Sequence, residues 1–197
     1  MTKLKLTISL FLLLFYSSII SAQDVEINEF KSLSSEIFSF INNLNDNIVS
    51  FFDKEKAKNV ERNLRYFQND LREYLKTRKK LMDYISQNNY VIDNVKTKPL
   101  VAKLKKKLEK LSTRLAKVTP YINAEMSSHA EYIIDKIHQT KKAQQELFLS
   151  ELDKLINGQS IDKEKLIEDG LRIYNELSKS IDLISVVREN LKKVYKK

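Results

Sequence analysis

Three sets of polar residues in this chain stand where binding or chemistry could be done. The first is Arg78. It falls at the centre of an apolar stripe, Val60, Leu64, Phe67, Leu71, Tyr74, Leu81 and Ile85, whose steps alternate between four and three. A guanidinium stays charged at any ordinary pH, so there it must snorkel to water along its own stem or meet a carboxylate. That carboxylate is either a Glu or Asp of the fold or the head of an acidic amphiphile. The second is His129, which shares a helical face with Ile122, Met126, Ile133 and Ile137. It either hydrogen-bonds to a neighbouring helix or lines a pocket as a polar group. The third is a row of cations. Lys103, Lys106, Lys107, Lys110, Arg114 and Lys117 project within about 100° of one another on a helix, and Lys105 sits on the other border. Such a face is either solvated and paired with neighbouring acids or docks on an anionic membrane surface or an acidic protein.

Catalysis finds little support. There is no Cys, no Gly-rich phosphate loop and no strand–helix alternation. The two histidines, His129 and His138, lie nine residues apart, which puts them on opposite faces of one helix. Asp135-Lys-Ile-His138 resembles half of a carboxylate-x-x-His pair, but a di-metal bundle needs two such pairs and more Glu. No enzyme activity, metal or cofactor is expected. The net charge of +9 is concentrated rather than spread. Residues 95–118 hold nine basic residues and one acid, and the remainder of the chain after residue 22 is nearly neutral. With no exposed aromatics interleaved among the cations, the pattern argues against nucleic acid.

These residues need elements to hold them. Residues 1–22 read as a signal peptide. Lys3 and Lys5 form a basic start, Ile8 to Ile20 an apolar core, and Ser21-Ala22 a small-residue exit. Residues 23–197 then make one domain, exported to the extracellular space or to a bacterial periplasm. Without cysteines that domain must be held by burial alone. Two Gly, two Pro and 31% charged residues point to an all-α chain. The expected product is an elongated antiparallel bundle of four to five helices. Helix one should span about residues 28–52, with Phe30, Phe38, Phe40, Phe51 and Phe52 on its apolar face and a break near Asn45. Asp53 should cap a second helix from Lys54 to Gln87. The cationic helix should begin after Pro99, its seam Val101, Leu104, Leu108, Leu111, Leu115 and Val118 repeating over two heptads. Thr119-Pro120 should start or kink a fourth helix that runs to about Ile156, where Asn157-Gly158 stops it. Ser160 or Asp162 should cap a fifth, Lys163 to Tyr195, with Leu166, Ile173, Leu177, Ile184, Val187, Leu191 and Val194 inside.

The stretch Leu33-Ser-Ser-Glu-Ile-Phe-Ser-Phe-Ile-Asn-Asn-Leu44 resembles the opening segment of the nematode fatty-acid- and retinol-binding proteins. Glu36, Ile37, Phe40, Asn43 and Leu44 match its pattern, and Ser34 and Ser35 replace the usual Pro and acid. Asn157 to Leu166 is similar to that family's late turn into a Lys-rich helix, and Lys107 to Ile137 to its central helices. The resemblance implies a secreted helical carrier with an apolar cavity for a fatty acid or retinoid. Phe30, Phe38, Phe40, Phe51 and Phe52 would wall that cavity, Arg78 would anchor the carboxylate, Lys105 would stand at the mouth, and His129 would line it. The alternative drawn from the residues themselves is a coiled-coil scaffold or adaptor. It would dock an anionic surface or acidic partner through the cationic helix.

Overall fold

The computed structural model describes residues 33–48, 53–88, 94–156 and 163–196, with side-chain surroundings for all of these except 94, 142–156 and 163–170. The described chain is all-α, with no strand among the described residues. Helix α1 covers residues 33–46, α2 Lys54–Gln87, α3 Asn94–Ala116, α4 Ala124–Ile156 and α5 Lys163–Tyr195. No helix among the described residues is long and apolar enough to cross a membrane. The segment read as a signal peptide, Phe30, Phe51 and Phe52, the Asn157-Gly158 stop and both candidate caps of α5 lie outside the described residues.

Local chemistry explains most of the boundaries. Asp53 caps α2: its carboxylate accepts from the Lys56 backbone N–H at 2.7 Å, satisfying one of the first-turn donors that has no partner inside the helix. Asn88 closes the same helix, its side-chain nitrogen donating to the Tyr84 carbonyl at 2.8 Å. In α1 the break comes at Asn47 rather than Asn45. The Asn47 backbone N–H keeps the helical bond to the Asn43 carbonyl at 3.2 Å, and its side-chain nitrogen competes for the same carbonyl at 2.8 Å. Asn45 is used differently and accepts from Asn190 of α5 at 3.1 Å.

Two boundaries correct the sequence reading. Helix α3 begins at Asn94, so Pro99 lies inside it and not at its start. Pro99 has helical φ, but in this second turn it forgoes the bond to the Val95 carbonyl and crowds that carbonyl, a local cost that the packing of α3 offsets. Helices α3 and α4 are separate elements, not one kinked rod. Pro120 sits in a single 3₁₀ turn, Thr119–Tyr121, after which Ile122 is extended. The cap of α4 is Asn123, whose side-chain oxygen accepts from the Met126 N–H at 2.8 Å.

The five helices surround one core. Helix α2 packs on α3 and α5, and α3 packs on α4. Helix α1 lies against α4 and α5: Glu36 bonds His129, Ser34 bonds Glu176, and Asn45 meets Asn190. Cross-helix pairs give the directions. Glu61 meets Arg188 and Gln68 meets Ile181, so α2 and α5 are antiparallel. Asp70 meets Lys107 and Asn63 the Lys117 carbonyl, so α2 and α3 are too. Helices α1 and α5 run parallel, since residues 34 and 45 pair in that order with 176 and 190. Helices that alternate in direction around a closed ring of five must leave one neighbouring pair parallel.

The expected seams form the core. Val60, Leu64, Phe67, Leu71, Tyr74, Leu81 and Ile85 of α2 are buried, as are Leu104, Leu108, Leu111, Leu115 and Val118. From α1 come Leu33, Ile37, Phe40, Ile41, Leu44 and Ile48; from α4 come Met126, Ile133 and Ile137; and from α5 Ile173, Leu177, Ile184, Val187 and Leu191. Phe38 departs from expectation and stands 39% exposed. Helix α1 buries a stripe against its neighbours, and a residue one step past Ile37 is rotated about 100° out of it.

Candidate functional site

The cationic face of α3 is split by its neighbour. Asp70 of α2 stands opposite the middle of α3 and is shared by two of the six expected cations. Lys107 Nζ is 3.6 Å from one carboxylate oxygen and Arg114 Nε 3.5 Å from the other. The side chains of Asp70, Lys107 and Arg114 are 12%, 16% and 27% exposed, so this cluster is part of the α2–α3 packing. Arg114 Nε has no hydrogen bond among the described residues, so its tie to Asp70 is electrostatic. The remaining four, Lys103, Lys106, Lys110 and Lys117, are exposed and make no ion pair among the described residues. Lys105 is half-buried.

At the C-terminal end of this row the surface hollows into an open groove of about 590 Å³. Arg62 and Tyr66 of α2, Arg114 and Lys117, and Pro120 and Tyr121 of the 3₁₀ turn line it. Two guanidiniums lie close to the Tyr66 ring. The Arg114 guanidinium lies 4.7 Å from its centroid and that of Arg65 5.3 Å, cation–π distances that set the ring's orientation. Arg62 Nη2 donates to Asn59 Oδ1 at 2.8 Å and is otherwise on the exposed side of α2. The groove therefore has aromatic and proline walls and a cationic rim.

Among the described residues, the space at the centre of the bundle is small. The space where all five helices meet, between Leu33, Ile37, Leu71, Leu108, Ile137 and Leu177, measures about 10 Å³. That is roughly the space of one water. Phe40 fills the core beside it at 1% exposure, while Phe38 faces outward. Arg78 is half-buried, and its Nη1 donates to the Tyr74 hydroxyl at 3.5 Å, one turn away on its own helix. His129 takes the first of its two expected roles. Its Nε2 lies 2.8 Å from Glu36 Oε2 on α1, and its ring meets Phe40 edge-on at 5.8 Å between centroids. His138 is exposed, and the described residues hold no group of three or more His, Cys, Asp or Glu that could bind a metal.

The structure thus gathers Lys103, Lys106, Lys110 and Lys117 on one face. None of Arg78, His129 and Lys105 lines the groove or the central space. Two features escape the sequence reading. Arg62, Tyr66 and Tyr121 join the cationic face only through the α2–α3 packing and the turn at Pro120. The signal available was the i, i+4 pair Arg62 and Tyr66 on the outer side of α2. The other is a buried polar layer between α2 and α5. Gln68, fully buried, donates to the Ile181 carbonyl at 2.7 Å and to Ser185 Oγ at 2.6 Å. Arg188 donates to Gln68 Oε1 at 2.8 Å and, through Nε and Nη2, to Glu61 Oε1 at 2.9 Å each. The heptad spacing of Glu61 and Gln68 along the edge of the α2 seam was its trace in the sequence.

Comparison of the chain with protein-family models, with curated proteins and with solved structures finds no match. The functional reading rests on the geometry.

Proposed function

We propose that this protein is an exported, non-catalytic helical adaptor that docks an anionic partner through the outer face of α3. One observation carries the reading. The same helix that commits Leu104, Leu108, Leu111 and Leu115 to the core, each 1% exposed, presents Lys103, Lys106, Lys110 and Lys117 to solvent. Of the nearby acids, Asp70 is shared between Lys107 and Arg114, and Glu109 pairs with Lys141 at 3.4 Å. A rigid helix with a row of lysines that make no ion pair among the described residues is an electrostatic docking face.

The carrier reading that the family resemblance implies has less support in this geometry. A fatty acid or retinoid needs a cavity of about 300 Å³ or more. The space at the centre of the described core is about 10 Å³.

The test is binding to polyglutamate at low and moderate salt. Between about 50 and 200 mM NaCl the affinity should fall several-fold, as charge screening requires. Replacing Lys103, Lys106 and Lys110 together by Glu should weaken it at least about tenfold. Lys107 is left intact, because its loss would disturb Asp70. Binding that ignores both salt and charge reversal would end the adaptor reading. Saturable uptake of a fluorescent fatty acid, displaced by oleate, would put the carrier in its place.

A further inference from the structure

The groove at the end of the lysine row has a chemistry of its own. Resting on the adaptor reading, we infer that this groove is the specificity pocket of the docking face, and that it takes an acidic peptide segment carrying an apolar side chain flanked by carboxylates. The walls supply the apolar half of the match. Tyr66, Pro120 and Tyr121 bound a space of about 590 Å³, within the range of sites that enclose a small ligand or an anchor side chain. The Tyr66 ring already stacks within cation–π range of Arg114 and Arg65, which favours its place in the wall. The rim supplies the charge. Arg62 and Lys117 stand on opposite helices across the groove, both exposed. The nearby carboxylates are committed elsewhere, Glu61 to Arg188 and Asp70 to Lys107 and Arg114. A ligand's carboxylates would therefore meet cations with no internal acid to displace.

The row sets the length of the partner segment. From Lys103 to Lys117 the α3 axis rises roughly 21 Å. An extended peptide of about six or seven residues covers that distance. One end would lie in the groove and the remainder along the lysines. A bilayer is the poorer fit. Interfacial helices insert large apolar side chains between lipids. On α3 the exposed large hydrophobic is Val95, at the far end from the groove.

The experiment compares two fluorescein-labelled peptides by anisotropy at about 50 mM NaCl, where screening is modest. One is Glu-Phe-Glu-Asp-Glu-Asp-Glu, its Phe near the end that enters the groove; in the other the Phe is Ser. The Phe peptide should bind about tenfold more tightly, the gain expected from burying most of one aromatic ring. Arg62→Glu, an exposed substitution, should cost at least about tenfold on both peptides. Tyr121→Ala, with folding checked by circular dichroism, should erase the preference for Phe. If the two peptides bind equally, or Arg62→Glu leaves affinity within about twofold, the pocket is refuted. The adaptor reading still stands in that case, provided that reversal of Lys103, Lys106 and Lys110 abolishes binding. If neither peptide binds but phosphatidylserine vesicles sediment the protein, the peptide pocket is refuted and the anionic partner is a membrane.

Discussion

Removing Glu61 is the sharpest test of how the α2–α5 interface is held. Glu61 is 7% exposed, and its Oε1 alone receives both Nε and Nη2 of Arg188. Glu61→Ala leaves the guanidinium, its side chain 17% exposed, with Gln68 Oε1 as its remaining acceptor in this layer. Stranding one partner of a fully buried pair costs about 3–5 kcal/mol. Some water reaches this pair, so the expected loss is about 2–3 kcal/mol. For a chain of this size that is roughly 5–10 °C in Tm. Replacing the whole pair, Glu61→Leu with Arg188→Met, removes both charges and adds apolar contact but leaves Gln68 Oε1 without its donor, so it should cost about 1 kcal/mol. The double variant should therefore be more stable than either single one. Urea unfolding followed by far-ultraviolet circular dichroism measures all four corners of the cycle. A Glu61→Ala loss below about 0.5 kcal/mol, or a double variant losing the sum of the singles, would refute the reasoning.

The same geometry sets three other outcomes. Leu111→Ala, at a site 1% exposed beside the central void, should cost about 3 kcal/mol in urea unfolding, because the space it leaves adjoins one that is already unfilled. Asp53→Ala should cost about 1 kcal/mol and Asp53→Asn much less, since an amide oxygen can still accept from Lys56 N–H. The Glu189 carboxyl is held below the usual carboxylate range, first by its hydrogen bond from Lys192 and then by that residue's charge. A depressed carboxyl favours the folded state above its ordinary titration range and loses that contribution as pH falls through the folded value. NMR titration should show Lys192→Ala moving Glu189 upward; no movement would break the assignment.

Helix α2 was readable almost to the residue because its two ends and its face are all written locally. Asp53 and Asn88 mark the ends, and a stripe stepping by three and four marks the face. The seams of α3 and α5 were legible for the same reason. Pro99 misled because proline favours a first turn, whereas α3 begins five residues earlier and carries it in the second turn. Pro120 left two outcomes open, and Asn123, the side chain that decided between them, sits three residues downstream. The lysine row of α3 could be read from spacing, but its division could not. Asp70, which claims Lys107 and Arg114, lies on another helix and meets them through the α2–α3 register. The groove depends on that same register plus a turn, so no single segment announces it. Phe38 looked like part of an apolar face because aromatic residues are dense around it, yet α1 buries only one stripe.

The parallel pairing of α1 with α5 has a consequence for the order of events during synthesis. The partners that α1 bonds lie 93, 142 and 145 residues further along the chain. Helices α2, α3 and α4, by contrast, each fold back on a sequence neighbour. Contacts of such long separation are entropically the costliest to close and form late. The apolar stripe of Ile37, Phe40, Ile41 and Leu44 is thus among the first to be made and the last to be covered. Until α5 is complete, the side of α1 that Glu176 and Asn190 meet stays uncovered.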